Sequence, residues 1–177
     1  MGTFEFDLIV SGFDLDAHAD ALDELEAKVG DLSFAMLAGT ATVAVEREAR
    51  SLGHAVQSAI ADVERLPGVR VERVLPDGHV SQAEIAARIG RTRQSVSQLV
   101  QGARGPGGFP EPAFGTGRTA LWRWSEVAAW LAAARLIDAE DFQRQAVFDA
   151  ANAMLDARRA VSGLSGDDQV ALRSLVA

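Results

Sequence analysis

Phe4, Phe6, Leu8 and Val10 alternate with Glu5, Asp7 and Ile9 at the start of the chain, the period-two pattern of a half-buried strand. After Gly12 the period lengthens to that of a helix over residues 16–29, with Ala17, Ala21, Leu22, Leu25 and Val29 on the apolar side. Asp20, Asp23, Glu24 and Glu26 fall outside it. Residues 31–37 and 40–46 read as two extended runs around Ala38-Gly39-Thr40, a hairpin. A second helix spans residues 50–66 and is stopped by Pro67-Gly68, after which Val69, Val71 and Val74 form a last strand. The predicted order is β-α-β-β-α-β.

That order is the ferredoxin-like split βαβ arrangement, with two helices over one face of a four-stranded antiparallel sheet. It defines an expected first domain over residues 1–78. The uncovered face carries Glu5 and Asp7 on the first strand and Arg70 and Glu72 on the last. Three readings stay open for this face: exposure to solvent, contact with another subunit or protein partner, and binding of a small ligand. The arrangement alone does not choose among them.

The segment SQAEIAARIGRTRQSVSQLVQ, residues 81–101, predicts two short helices and a tight joint. Ser81 and Glu84 have the spacing of a capping box. Ile85, Ala86 and Ile89 share one side of the first helix, and Gly90 supplies the left-handed residue that ends it. Thr92 caps a second helix whose inward side is Val96, Leu99 and Val100. A small residue at Ala86 lets the two helices approach closely. On the opposite side of the second helix lie Gln94, Ser97, Gln98 and Gln101. Glutamine can pair bidentately with adenine, serine can donate or accept, and Arg91 and Arg93 at the helix start suit phosphate or guanine.

Residues 102–124, GARGPGGFPEPAFGTGRTALWRW, open with a stretch that cannot be helical. Two short extended runs come next, separated by Gly115-Thr116-Gly117-Arg118, and then a helix with Ser125 as expected cap and Val127, Trp130, Leu131 and Leu136 as its apolar side. The small Ala86, the turn at Gly90, GFPEP, the hairpin, RW and SEVAAWL together resemble the winged helix-turn-helix of the MerR group and of AlpA-like and excisionase-like regulators. The resemblance covers residues 79–136. It implies that the second helix enters the major groove while the wing touches the backbone or minor groove. Carried across, it places Arg93, Gln94, Ser97 and Gln98 on bases or nearby phosphates and Arg104, Arg118 and Arg123 along the backbone. Arg91, Gln101 and the two capping residues Ser81 and Thr92 complete the expected DNA-binding set. The loop from Gly102 to Gly108 departs from the pattern by its glycine content and reads as mobile.

Residues 137–177 form an expected helical tail. A helix over residues 139–161 has Asp138 as expected cap, with Glu140 and Asp141 suited to its N-terminal dipole. Phe142, Val147, Phe148, Ala151, Met154, Leu155 and Val161 make its apolar stripe. After Gly163 and Gly166 a last helix over residues 167–175 has Val170, Leu172, Leu175 and Val176 as its apolar residues. Packing onto the chain's own domains and contact with a second subunit both satisfy this pattern. The predicted fold class is therefore α+β: a ferredoxin-like domain, a central winged helix-turn-helix and C-terminal helices.

Charge sharpens the picture because it is unevenly placed. The chain has 177 residues and a net charge of −8, yet residues 80–135 carry seven Lys/Arg against three Asp/Glu. Residues 1–79 carry six against fifteen, and residues 136–177 four against seven. The basic segment coincides with the paired-helix pattern, as local phosphate neutralisation requires. With 48% apolar and 24% charged residues the composition is that of a globular protein. Sixteen of the 17 basic residues are arginine, the bias of a GC-rich and hence bacterial genome. The apolar stretch near the N-terminus lacks a basic region before it, and no run of eighteen apolar residues occurs, which gives the expectation of a soluble, cytoplasmic chain.

The remaining chemistry is sparse. There is no cysteine, so neither a disulfide framework nor a thiolate metal site is available. His18, His54 and His79 are widely separated and read as surface or partly packed residues, and the acidic group Asp14, Asp16, Asp20, Asp23 and Glu24 lacks the EF-hand glycine and terminal glutamate. No Walker lysine, nucleophile elbow or dinucleotide fingerprint appears, so neither a catalytic site nor a cofactor or metal is expected. Trp122, Trp124 and Trp130 read as core of the small module rather than a platform for single-stranded bases. The expected function is that of a homodimeric, sequence-specific transcriptional regulator binding double-stranded DNA. The alternative is an antitoxin-like or adaptor protein that binds a protein partner through its acidic N-terminal domain.

Overall fold

The computed structural model describes residues 1–37, 39–76 and 78–173. Ala38 of the expected hairpin, Leu175 and Val176 of the last helix, and the side chain of Asp141 lie outside the described residues. The chain is mixed α+β and divides into two compact units, residues 1–76 together with 150–177, and residues 77–149. The C-terminal segment expected as one piece is thus shared between them.

In the first unit, β1 (Gly2–Ser11), α1 (Ala19–Val29), β2 (Leu32–Leu37), β3 (Thr40–Ala49), α2 (Leu52–Val63) and β4 (Arg70–Leu75) occur in the predicted order. The strands form one sheet in the order β2-β3-β1-β4, with every neighbouring pair antiparallel. Phe6, Leu8 and Val10 of β1, Ala41, Val43 and Val45 of β3, and Val71 and Val74 of β4 are buried. Ala55, Val56, Ala59 and Val63 of α2 are buried as well, and this helix packs on β3 and β4. Between Ile9 and Val10 the register of β1 against β4 shifts, leaving Glu72 as an extra residue without a partner on β1. Its carboxylate accepts from the Ser11 hydroxyl at 2.6 Å and from Arg159 at 2.7 Å.

Two details of this unit escape a periodicity argument. The alternation of β3 runs to Ala49, three residues past the expected end, so Arg47 is an inward residue, 5% exposed. Its guanidinium is bidentate to Asp31, at 2.6 and 2.8 Å, and its third nitrogen reaches Asp62 on α2 at 2.8 Å. This planar fork satisfies a buried charge from both sides and ties β3 to the α1–β2 turn and to α2. The second detail is His18, expected as a surface or partly packed residue and found buried. It precedes α1, which begins at Ala19 rather than near residue 16, because the Asp14 carboxylate accepts from the Ala17 amide and organises a turn instead. The imidazole stacks on Phe13 with ring centroids 5.4 Å apart.

After α2 the sheet's outer strand is closed off by side chains. The Val71 amide donates to Glu64 at 3.0 Å, and Arg158 donates to the Val71 carbonyl at 3.2 Å. Asn152, buried on α6 (Ala139–Ser162), accepts from the Val74 amide and donates to the Val74 carbonyl. These contacts complete the backbone hydrogen bonding of an edge strand. The apolar stripe of α6 is narrower than expected. Phe148 and Leu155 are buried, whereas Met154 is 61% exposed, because the helix turns the polar Asn152 toward β4. On α7 (Gly166–Arg173), the apolar residues Val170 and Leu172 are exposed.

The second unit contains β5 (His79–Val80), α3 (Gln82–Arg88), α4 (Arg93–Val100), β6 (Trp122–Arg123) and α5 (Trp124–Ala133). The wing-like hairpin is reduced to one bridge between Phe114 and Leu121, and β6 pairs with β5 instead. Two-residue strands have no period for a sequence to display, and β5 lies outside the expected elements. Ser125 does not cap α5. The helix starts two residues earlier than that cap implies, directly from β6, and the Trp124 amide donates to the Gly78 carbonyl at 2.8 Å.

Removing the guanidinium should strand the Asp31 carboxylate and leave Asp62 with Arg65, at 3.1 Å, as its one remaining cation among the described residues, in a poorly solvated site. Arg47→Ala is therefore expected to destabilise the protein by about 3 kcal/mol in chemical denaturation. His18 supplies a pH signature. Its ring faces the Pro67 carbonyl at 2.9 Å and the Asp14 carbonyl at 2.7 Å, and the hydrogen bonds to Pro67 and then Asp14 raise its pKa above the ordinary 6.5. The protonated form is thus favoured by folding. Its stabilisation should be complete below pH 6.5 and fade as pH rises through the folded-state value. His18→Gln should flatten that part of the stability–pH curve, measured by thermal unfolding across pH 5 to 9.

Candidate functional site

The site is the outward side of α4, and its placement starts at α3. The Ser81 hydroxyl accepts from the Glu84 amide at 3.3 Å while the Glu84 carboxylate accepts from the Ser81 amide at 2.7 Å, a complete capping box. The Ser81 amide, and then its hydroxyl, hold the Glu84 carboxyl below the usual range. At the far end Gly90 adopts φ 61°, and the Arg91 amide returns to the Ala86 carbonyl at 2.8 Å. Thr92 then caps α4 by accepting from the Ser95 amide at 3.2 Å.

Inward residues hold both helices. Ile85 and Val96 are fully buried, and Ala86 and Leu99 nearly so. Val80, Ile85, Ala86 and Val96 belong to one apolar cluster with Trp122, Trp124, Val127 and Leu131. The α4 side chains opposite that cluster are left toward solvent. Gln94 and Gln101 are exposed and Ser97 and Gln98 half-buried, with Gln101 donating to the Ser97 hydroxyl at 3.3 Å. Arg91, Thr92 and Arg93 at the helix start are exposed too.

The glycine-rich segment after α4 is held down, contrary to its expected mobility. The Trp130 indole donates to the Gly107 carbonyl at 2.9 Å and the Trp122 indole to the Pro110 carbonyl at 3.0 Å. Phe109 lies edge-on to both rings, at 4.9 and 6.2 Å. Gly105, at φ 81°, sits so close that an added Cβ would lie 3.1 Å from a Leu99 methyl. Two indoles thus bind carbonyls that a loop would otherwise leave to water.

The expected arginines differ in their engagement. Arg104 and Arg118 are exposed, the latter in a 3-10 turn over Gly117–Thr119. Among the described residues no carboxylate pairs with Arg91, Arg93, Arg104 or Arg118. Arg123 is exposed and lies 3.6 Å from Glu126, an ion pair that a phosphate would have to displace. Ser81 and Thr92 use their hydroxyl oxygens as helix caps, so their expected ligand contacts compete with a structural role. Two residues outside the expected set stand out. Arg88 lies over the Trp124 ring at 4.7 Å, and Phe114, 58% exposed, packs edge-on against His79 at 4.7 Å beside the Arg118 turn. An aromatic flanked by Gly115 was the available signal for the latter.

No family model, curated protein or solved structure matches this chain. Among the described residues there is no group of three or more His, Asp or Glu side chains placed to hold a metal ion. No helix in the same set is long and apolar enough to cross a membrane.

The left-handed turn at Gly90 has open space around a would-be Cβ, so the conformation alone opposes substitution. Gly90→Ala is expected to cost about 1 kcal/mol in denaturant unfolding.

Proposed function

We propose that the second unit binds double-stranded DNA as a winged helix-turn-helix related to the MerR group, and that the protein is a bacterial, cytoplasmic, homodimeric transcriptional regulator. The observation carrying this reading is an outward amide and hydroxyl ridge on α4, exposed at Gln94 and Gln101 and half-buried at Ser97 and Gln98, flanked by arginines free of carboxylate partners among the described residues. In this reading α4 enters the major groove, where Gln94 and Gln98 meet base edges and Arg91 and Arg93 meet phosphate or guanine. The short turn carrying Arg118, with Arg104 and Arg123, contacts the backbone. The order β2-β3-β1-β4 supports a ferredoxin-like first domain, which in this reading serves assembly.

Phosphate contacts and base contacts separate experimentally. In binding titrations on randomised duplexes, Arg118→Ala should weaken all sequences about equally and lower the salt dependence by roughly one counterion. Gln98→Ala should instead change the preferred bases, at a cost of about 1–3 kcal/mol on the best site. Affinity indifferent to salt contradicts the reading.

A second reading, an antitoxin-like or adaptor protein, is favoured by the exposed carboxylates Asp20, Asp23, Glu24 and Glu26 of α1. It requires that charge reversal at Asp20 and Asp23 release a basic partner.

A further inference from the structure

The sheet of the first unit has two edges with opposite treatment. Along β4, Glu64, Asn152 and Arg158 occupy the outward backbone groups of Val71 and Val74. At the other end of the strand order lies β2, Leu-Ser-Phe-Ala-Met-Leu. An edge strand turns alternate N–H and C=O groups outward and is a template for another strand unless charge, proline or a bulge blunts it. β2 contains no charged residue or proline and pairs with β3 without a register shift. Met36 and Leu37 at its end are 53% and 72% exposed.

Charge selects what can pair there. Residues 1–79 carry six Lys/Arg against fifteen Asp/Glu, so most faces of two copies repel. The longest stretch without a charged residue in the chain runs from Leu32 to Val45, covering β2 and the adjoining part of β3. Antiparallel pairing of β2 with itself about a two-fold axis sets uncharged residues opposite one another in any register. A basic partner would instead be drawn to the carboxylates of α1.

We propose that β2 is the joint between two copies of this chain, converting the four-stranded sheet into a continuous eight-stranded one. The inference supplies a surface for the homodimer of the DNA-binding reading. The test is sedimentation equilibrium of the full chain without DNA. The wild type should be dimeric, and Met36→Lys and Leu37→Lys, both at exposed positions, should each weaken the dimer by about tenfold or more while leaving the circular dichroism unchanged. Met154→Lys, at an exposed position on α6, should leave it intact. Amides of residues 32–37 should exchange more slowly as protein concentration rises. A monomeric wild type, a dimer that withstands both lysine substitutions, or dissociation by Met154→Lys alone overturns the proposal. Salt-dependent DNA binding by a monomeric chain would leave the functional reading standing, and a β2-linked dimer indifferent to DNA would overturn only that reading.

Discussion

The joint between α3 and α4 is the constraint on which the candidate site depends. The Arg91 amide reaches back to the Ala86 carbonyl, and Gly90 provides the left-handed step that allows it. With Ile85 and Val96 both sealed in the same cluster, rotation of α4 about its axis would expose apolar side chains and bury glutamines. The outward row of Gln94, Ser97, Gln98 and Gln101 is therefore the complement of the inward row. A helix of only eight residues would be marginal on its own, and its orientation is a property of the cluster behind it.

The cluster also governs the path of the chain after α4. Trp122 and Trp130 contribute apolar area to the interior and direct their N–H groups at carbonyls of the glycine–proline segment. That division of a side chain into a packed body and a polar tip makes an ordered path out of a stretch rich in glycine. It also brings Phe109 edge-on to both rings, so that the segment contributes to the unit rather than hanging from it. Arg104 is held by its own amide, which donates to the Gln98 carbonyl at 3.2 Å, and Arg118 sits in a turn closed by the Thr119 amide on the Thr116 carbonyl at 3.2 Å.

In the first unit the corresponding device is ionic. Arg47 is held by two carboxylates from different elements, an arrangement that specifies how β3, Asp31 and α2 meet more than it adds net stability. The same economy of polar contacts appears along β4, where Asn152 substitutes for a neighbouring strand by offering one acceptor and one donor to Val74. Among the described residues no buried side-chain nitrogen or oxygen lacks a hydrogen-bond partner. Of the two edge strands, β4 carries charged residues and β2 carries none.

Elements long enough to show a period were legible in the chain itself. The order of strands and helices in residues 1–75, the capping box at Ser81 and Glu84, the Gly90 turn and the division of α4 into Val96 and Leu99 against Gln94 and Gln98 all arise from local spacing, because their causes lie within a few residues of one another. Other features depend on partners distant in sequence. The burial of His18 rests on the Pro67 carbonyl, that of Arg47 on Asp31 and Asp62, and the ordering of the Gly107 loop on Trp130. The pairing of His79–Val80 with Trp122–Arg123 likewise joins segments more than forty residues apart, too short to announce themselves. Local pattern determined which residues could form elements. Which polar groups those elements enclose, and which they leave open, was decided only when the elements met, because a buried charge or an unpaired amide finds its partner through space and not along the chain.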